Sequence, residues 1–133
     1  MGLAEDTSGT STEATNLLAQ QVRIFLCDMP RGTKPTTYQA LAAALNIPPP
    51  NRIHQLTNAL ESLIEEDVMA ARPLIASFVI SKVRGGLPAP GFFDCVRRVG
   101  RFEDDPSDPD GSVFHAAEMK RADAYWRKVT ETD

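Results

Sequence analysis

The chain has 133 residues, of which 42% are hydrophobic and 24% are charged, and its net charge is −4. These values fit one globular domain with a modest core, and the negative charge disfavours indiscriminate binding to nucleic acid. The charge is unevenly placed, however. Residues 31–101 carry nine basic and five acidic residues, giving +4, whereas residues 1–30 and 102–133 sum to −3 and −5. The centre of the sequence is therefore a basic segment between acidic ends.

The beginning of the sequence predicts a disordered N-terminus followed by two helices. Residues 1–12 are rich in Ser, Thr and Gly, which is typical of disorder. Apolar residues at helical spacing then predict a helix over 13–28 and a second, Ala-rich helix over 37–45. Thr36 or Thr37 is the expected N-cap of the second helix, because its hydroxyl can accept a hydrogen bond from a first-turn N–H.

A third helix begins near Pro50 or Asn51, directly after the helix-breaking run NIPPPN. Its apolar face is predicted to contain Ile53, Leu56, Leu60, Leu63 and Ile64. Its first two turns carry polar side chains that can read base edges in DNA, namely Asn51, Arg52, His54, Gln55 and Asn58. Its far end carries acids that would repel phosphate, namely Glu61, Glu65, Glu66 and Asp67. The change from uncharged or basic polar side chains at the start of the helix to acidic ones at its end predicts a recognition helix. The alternative is an ordinary solvated amphipathic helix.

The second half of the sequence predicts a short hairpin and two more helices. Residues 74–83 are rich in branched and aromatic side chains and predict a strand. The following RGG turn and prolines limit any returning strand to a short edge. A helix is predicted over 92–101, an acidic loop over 102–112 and a final helix over 113–130. We therefore predict a mainly α fold with a small β-hairpin, in which residues 13–133 form one winged helix-turn-helix-like domain with extra N- and C-terminal helices.

Two basic groups lie outside the third helix. Lys82 and Arg84 occupy the predicted wing tip, where basic side chains commonly contact the phosphate backbone, although an ordinary solvated hairpin would look the same. The fourth helix carries a cluster of arginines that we expect to pair with the neighbouring acidic run 103–110 rather than with phosphate. This cluster consists of Arg97, Arg98 and Arg101.

The final helix places two aromatic residues, Tyr125 and Trp126, among charged ones. We expect them to pack on the core, and the alternative is an interface for a protein partner or for self-association. The longest apolar run, residues 74–80, is too short to span a bilayer, and no secretory signal is visible. A cytoplasmic protein without a membrane partner is therefore expected.

Residues with catalytic potential are few. The cysteines, Cys27 and Cys95, are far apart and form no metal-ligand or redox pair, and neither His54 nor His115 has a nucleophile motif beside it. An activated Cys95 next to Asp94 is conceivable, but a structural thiol is the favoured interpretation. No cofactor and no metal site are predicted.

The stretch TTYQALAAAL resembles the start of the DNA-binding domain in alkylguanine-DNA alkyltransferases and alkyltransferase-like proteins. The resemblance covers about residues 36–92, and it implies a winged helix-turn-helix that grips the minor groove while a base is flipped out. It implies that Tyr38 helps to displace the nucleotide, and it places His54 where the family has its intercalating Arg. The family's reactive Pro-Cys-His-Arg motif falls on residues 79–82, where this chain has no thiol, so alkyl transfer is not expected.

The sequence thus predicts a non-enzymatic winged-helix protein that binds double-stranded DNA, such as a small transcriptional regulator. The alternative is a protein–protein interaction module on the same fold that does not bind DNA. An enzyme that uses Cys95 is a third hypothesis.

Overall fold

A computed structural model describes the backbone of residues 3–129 and the side chains of residues 12–129. Within these residues the fold is mainly helical. The helices are α1 (Leu3–Cys27), α2 (Tyr38–Ala44), α3 (Arg52–Met69), α4 (Pro90–Arg98) and α5 (Ser112–Trp126). Two short strands, β1 (Thr36–Thr37) and β2 (Val79–Ile80), and two 3-10 turns, Ile75–Phe78 and Lys82–Arg84, complete it. The disorder predicted for residues 1–12 stays a prediction, because the side chains of residues 1–11 lie outside the described part. Helix α1 begins at Leu3, whereas its start was expected at Glu13.

The core is built on α1 packed along α3. Both helices bury apolar residues at three- and four-residue spacing, as the sequence predicts for amphipathic helices. The fully buried residues of the pair are Ala19, Val22 and Leu26 from α1 and Leu56, Ala59, Leu63 and Ile64 from α3. Ile53, which was expected on the buried face of α3, is 39% exposed, because it lies in the first turn, beyond the end of the core.

The N-cap predicted for α2 is confirmed, and its C-terminus has a clear cause. The Thr37 hydroxyl accepts a hydrogen bond from the Ala40 N–H at 3.1 Å. At the other end Asn46 adopts a left-handed conformation (φ 53°), and the Ile47 N–H donates to the Ala42 carbonyl at 3.2 Å. This is the 6→1 hydrogen bond of a Schellman C-cap, so α2 ends at Ala44, before the first proline.

The strand predicted over residues 74–83 is wrong for most of its length. Residues 75–78 form a buried 3-10 turn, and the strand is limited to Val79–Ile80. The reason is that buried carboxylates hold the start of the turn, because Glu118 accepts from the Leu74 N–H (2.9 Å) and Asp67 accepts from the Ile75 N–H (3.1 Å). A short buried apolar run does not distinguish the two conformations by its pattern.

The predicted hairpin also needs correction. β2 pairs in parallel with β1, with Thr36 opposite Val79, instead of turning back on itself. After β2 the chain closes a small loop in which the Ser81 N–H donates to the Leu87 carbonyl at 2.7 Å. The expected wing is therefore a compact loop around the Lys82–Arg84 turn rather than a β-hairpin.

The acidic loop is ordered by its own carboxylates. Asp108 accepts from the N–H groups of Val113 and Phe114, both at 2.9 Å, and so caps the first turn of α5. Asp105 and Asp110 each accept from a Ser two residues further on, a local turn that is typical of Asp. The helix that follows ends at Trp126, four residues earlier than expected.

Candidate nucleic-acid interface

The corner between α2 and α3 is closed by side chains of α3. Arg52 donates its Nε–H to the Ile47 carbonyl at 2.9 Å. Gln55 donates from Nε2 to the carbonyls of Pro48 and Pro50, both at 2.8 Å. These bonds satisfy acceptors that the prolines, which have no N–H of their own, leave without backbone partners. Two of the five polar residues predicted to read DNA therefore hold the corner in place.

The other polar residues at the start of α3 are exposed. Asn51 stands in a left-handed conformation (φ 61°) and its side chain makes no capping bond to the helix. His54 and Asn58 lie one turn apart, with 3.4 Å between the His54 Nε2 and the Asn58 Nδ2. The first turn of α3 contains no acid, and the chain has none between Asp28 and Glu61. Among the described residues, the first turn of α3 is therefore polar and free of acids, whereas Asn58 in the second turn borders Glu61 and Glu65.

An open groove of about 940 Å³ adjoins the same surface, between the end of α2 and the beginning of α3. Small and apolar side chains form most of its wall, and Arg52 is its only formal charge. The wall consists of Gln39, Ala42, Ala43, Asn46, Ile47, Pro48, Pro49, Asn51, Arg52, Ile53 and His54. The α2 side of the groove was not among the predicted site residues. Its sequence signal is the Ala-rich end of α2, whose small side chains leave space beside α3.

The last three acids of α3, which are Glu65, Glu66 and Asp67, have partners within the chain. Glu65 pairs with Arg98 at 3.1 Å and Glu66 with Arg23 at 3.0 Å. Asp67 is fully buried and lies 3.0 Å from both Arg23 and Arg72. Burial raises the pKa of Asp67, opposed by the Ile75 N–H and the two arginines. The acidic end of α3 is thus explained by packing against α1 and α4, and DNA is not needed to explain it.

Tyr38 lies in the core rather than on the reading surface. Its ring is 7% exposed, and its hydroxyl accepts a hydrogen bond from the Ala89 N–H at 3.0 Å. Burial raises the pKa of Tyr38. The expectation that Tyr38 displaces a nucleotide therefore needs correction, because its phenol ties the start of α2 to the segment before α4.

Lys82 and Arg84 are placed differently from each other. Lys82 is exposed, whereas Arg84 is partly buried and lines a small pocket together with Asp94, Asp104 and Asp110. The pKa of Asp110 is lowered by its hydrogen bonds from Ser112 and also by the Arg84 charge. Both residues were predicted to contact the phosphate backbone of DNA. Lys82 is exposed and does not line the acidic pocket that contains Arg84.

The arginine cluster of α4 is engaged within the chain, but only in part with the acidic loop. Arg97 makes two hydrogen bonds to Asp104, both at 3.0 Å, as predicted. Arg98 pairs instead with Glu65, and Arg101 reaches the buried Glu118 at 3.0 Å. The prediction of self-pairing is confirmed for Arg97 and its neighbours find other acids.

The residues at and just after the end of α5 hold this helix against the core. Trp126 donates its indole N–H to the Pro73 carbonyl at 2.8 Å, and the guanidinium groups of Arg23 and Arg72 lie 4.7 and 5.1 Å from the centre of its ring. Arg127, 3% exposed, stacks on the Phe78 ring at 3.6 Å. Tyr125 remains 56% exposed. Core packing is confirmed for Trp126, which leaves Tyr125 as the exposed aromatic of the pair.

Two of the groups considered for catalysis, Cys95 and His115, are buried. Burial raises the pKa of the Cys95 thiol to about 11, with Arg98 opposing it. His115 is 3% exposed, and its Nε2 lies 2.8 Å from the Ser77 carbonyl, so this nitrogen carries the proton and donates. Burial lowers the pKa of His115. Neither group is exposed to a substrate in this conformation.

Three further observations limit the functions that can be assigned to this site. Among the residues whose side chains are described, no group of three or more His, Cys, Asp or Glu is arranged to hold a metal ion. No helix in that part of the chain has the length and apolar character needed to cross a membrane. Comparisons with protein-family models, with curated proteins and with solved structures found no match to this chain. Its function is therefore inferred from its own geometry and charge.

Proposed function

We propose that the protein is a non-enzymatic DNA-binding protein, such as a small regulator, in which α2 and α3 act as a helix-turn-helix and the first two turns of α3 face the duplex. One observation carries this proposal: the start of α3 exposes Asn51 and His54, and its first turn contains no acidic side chain. The N-terminal residues of a recognition helix are those that contact DNA. The partial positive charge of the helix N-terminus also favours phosphate there.

The hydrogen bonds of the corner limit how this surface can read bases. Gln55 uses Nε2 for two proline carbonyls, so only its own carbonyl oxygen remains and bidentate recognition of adenine is closed to it. Arg52 engages Nε and keeps its terminal nitrogens for phosphate. The proposed contacts are therefore mainly with the backbone and the groove shape, and sequence preference is expected to be modest.

The test compares the same charge change at the two ends of α3. His54→Glu adds an acid to the proposed surface, and Met69→Glu adds one at a residue that is 91% exposed and about 22 Å further along the helix. We expect His54→Glu to weaken binding to a random duplex by at least about tenfold, or about 1.4 kcal/mol, and Met69→Glu by less than about twofold. Both variants have the same net charge, so a general charge effect would move them equally.

The measurement is a fluorescence anisotropy titration at low salt, repeated at higher salt. Wild-type affinity should fall with salt, because each neutralised phosphate contributes about −0.9 to the slope of log K against log salt. Equal losses in the two variants, or no salt-dependent affinity in the wild type, would refute the proposal. A single-strand probe run in parallel tells whether the surface requires a duplex. Arg52→Ala and Gln55→Ala are avoided because they open the corner itself.

A second candidate is a protein-interaction module on the same scaffold, and the lining of the 940 Å³ groove favours it. Apolar walls around one cation, Arg52, suit a peptide with an apolar anchor and a nearby Asp or Glu. Display selection of random peptides should then enrich this pattern, and the selected peptides should fail to bind Ala43→Arg, which fills the groove with a cation. Enrichment without an acidic residue, or unchanged binding to Ala43→Arg, would refute this candidate.

A further inference from the structure

Helix α5 is attached to the core to a large extent through polar side chains. The buried residues of this helix are His115, Glu118 and Ala122, and their spacings of three and four place them on one face. Ala122 is small, and the larger apolar side chains of α5, such as Phe114 and Met119, are only partly buried. By contrast, α3 buries three leucines and an isoleucine. Two of the three buried residues that attach α5 are therefore ionisable.

These two ionisable side chains hold the backbone just before β2. The Leu74 N–H donates to Glu118 at 2.9 Å, and the Nε2 of His115 lies 2.8 Å from the Ser77 carbonyl. Among the helices and strands that the structure describes, α5 packs most extensively against the turn Ile75–Phe78, which lies in the same stretch. The attachment of α5 therefore depends on the ionisation of its own buried residues as well as on apolar contact.

The surroundings of His115 favour its neutral form. The side chain is 3% exposed, and the Phe92 ring of α4 stands edge-on to the imidazole with 6.2 Å between the ring centres. Burial lowers the pKa of His115, and the hydrogen bond to the Ser77 carbonyl opposes this only in part. An imidazolium at this position would therefore lose water without gaining a carboxylate partner.

The charged groups packed around this face of α5 already have other partners. They are Glu118 with Arg101 and Arg121, Asp67 of α3 with Arg23 and Arg72, and Asp108 of the acidic loop, which accepts from N–H groups in the first turn of α5. Burial raises the pKa of Asp67, so acid favours the folded form through this group and acts against any release of α5. His115 is therefore the buried group on α5 through which acid weakens the attachment.

We propose that α5 is an acid-released helix: protonation of His115 detaches α5 from the turn Ile75–Phe78, while α1 and α3 stay packed. The incoming proton binds Nδ1, because Nε2 already carries the proton that it donates to the Ser77 carbonyl. In the released state the imidazole is hydrated and has its ordinary pKa of 6.5. A histidine whose pKa is lower in the attached state stabilises attachment above pH 6.5 and loses this effect as the pH falls. The equilibrium constant for release therefore rises by up to about tenfold per pH unit. Release uncovers the apolar turn, which is buried in the attached state. No residue of α5 belongs to the proposed DNA surface, so the proposal does not depend on DNA binding.

The first test is native-state hydrogen exchange of the wild type between about pH 7 and pH 5, with the rates corrected for the intrinsic effect of pH. This method measures how often each helix opens, even when the open form is rare. The opening constant of the α5 amides should rise by up to about tenfold per pH unit below the ordinary pKa of histidine. The α3 amides should have a smaller opening constant that rises less. Equal opening constants in the two helices at each pH, or an α5 value that does not change with pH, would overturn the proposal.

Two matched variants identify the histidine that takes up the proton. His115→Gln keeps an N–H that can donate to the Ser77 carbonyl but cannot be protonated in this range, so it should abolish the rise in the α5 opening constant. His54→Gln is the control, because His54 is exposed and is the other of the two histidines of the chain, and it should leave the rise unchanged. A rise that persists in His115→Gln, or that disappears in His54→Gln, would count against the proposal. The circular dichroism of each variant at 222 nm checks that the helices are retained.

Discussion

Glu118 is expected to be one of the most important side chains for the stability of the fold. It is fully buried in α5, and its Oε2 accepts from the Leu74 N–H at 2.9 Å and from Arg101 at 3.0 Å. Its Oε1 accepts from Arg121. One carboxylate thus joins α5 to the buried turn and to the segment after α4. Glu118→Gln keeps the size of the side chain and removes its charge.

The size of the effect follows from which contacts the amide can keep. The carbonyl oxygen of Gln can take the place of Oε2 and still accept from the Leu74 N–H and from Arg101, but the NH2 group then faces Arg121 and cannot accept from it. A charge-assisted hydrogen bond contributes about 1.5–3 kcal/mol and a neutral one about 1 kcal/mol. Arg101, whose side chain is 22% exposed, therefore keeps its bond but loses the charge of its acceptor, at a cost of about 1 kcal/mol. The pair with Arg121, which is 56% exposed, contributes under about 1 kcal/mol. The expected loss is about 2 kcal/mol.

Urea unfolding followed by circular dichroism measures this loss. With an m-value of about 2 kcal/mol per molar, the midpoint should fall by about 1 M while m stays unchanged. Arg121→Ala is the control for the exposed half of the cluster, and it should cost less than about 1 kcal/mol. A loss below about 1 kcal/mol for Glu118→Gln, or equal losses in the two variants, would refute the assignment of stability to the buried pair.

Three further predictions concern other buried or strained positions. Burial lowers the pKa of His115 below its ordinary value of 6.5, so its contribution to stability is present above that pH and is lost as the pH falls, at up to about 1.4 kcal/mol per pH unit. His115→Gln should remove this part of the dependence of the unfolding free energy on pH. An unchanged dependence between pH 7 and 5 would contradict the prediction. Ala71 occupies the left-handed position (φ 57°) of the C-cap of α3, where the Arg72 N–H donates to the Asp67 carbonyl at 2.8 Å; Ala71→Gly should therefore raise the unfolding free energy by about 1 kcal/mol, and a thermal midpoint that falls would show that the strain is absent. Because burial raises the pKa of Cys95 to about 11, its thiol in the folded protein should react with a disulfide reagent at pH 8 far more slowly than free cysteine does. A reaction as fast as that of free cysteine would contradict the prediction and would support the hypothesis of an enzyme that uses Cys95.

Local pattern predicted the helices well. The apolar spacing of α1 and α3, the Thr37 cap of α2 and the helical character of α4 and α5 were all expected from the sequence, and the mainly α class is confirmed. These features depend on residues that are close in the chain, so periodicity and capping chemistry report them directly. The end of α2 at Ala44 is equally local, because the left-handed Asn46 terminates the helix before the first proline.

The candidate site was predicted only in part. His54 and Asn58 are exposed, as expected for a reading surface, whereas Gln55 and Tyr38 hold the fold together. A polar side chain is free to contact a ligand only if folding does not place a carbonyl or an N–H group of the chain beside it. For Tyr38 that partner is Ala89, 51 positions away in the sequence.

By itself, the sequence determined which segments are helical, which of their faces are apolar, and that the start of α3 is polar while its end is acidic. Only the tertiary structure decided that the run from residue 74 is a buried turn and not a strand, because the carboxylates that hold it come from α3 and α5. It also decided that the last three acids of α3, from Glu65 to Asp67, pair with Arg23, Arg72 and Arg98. The physical reason is the same in both cases: burial of a polar group requires a partner, and these partners are brought together by folding, not by position in the chain.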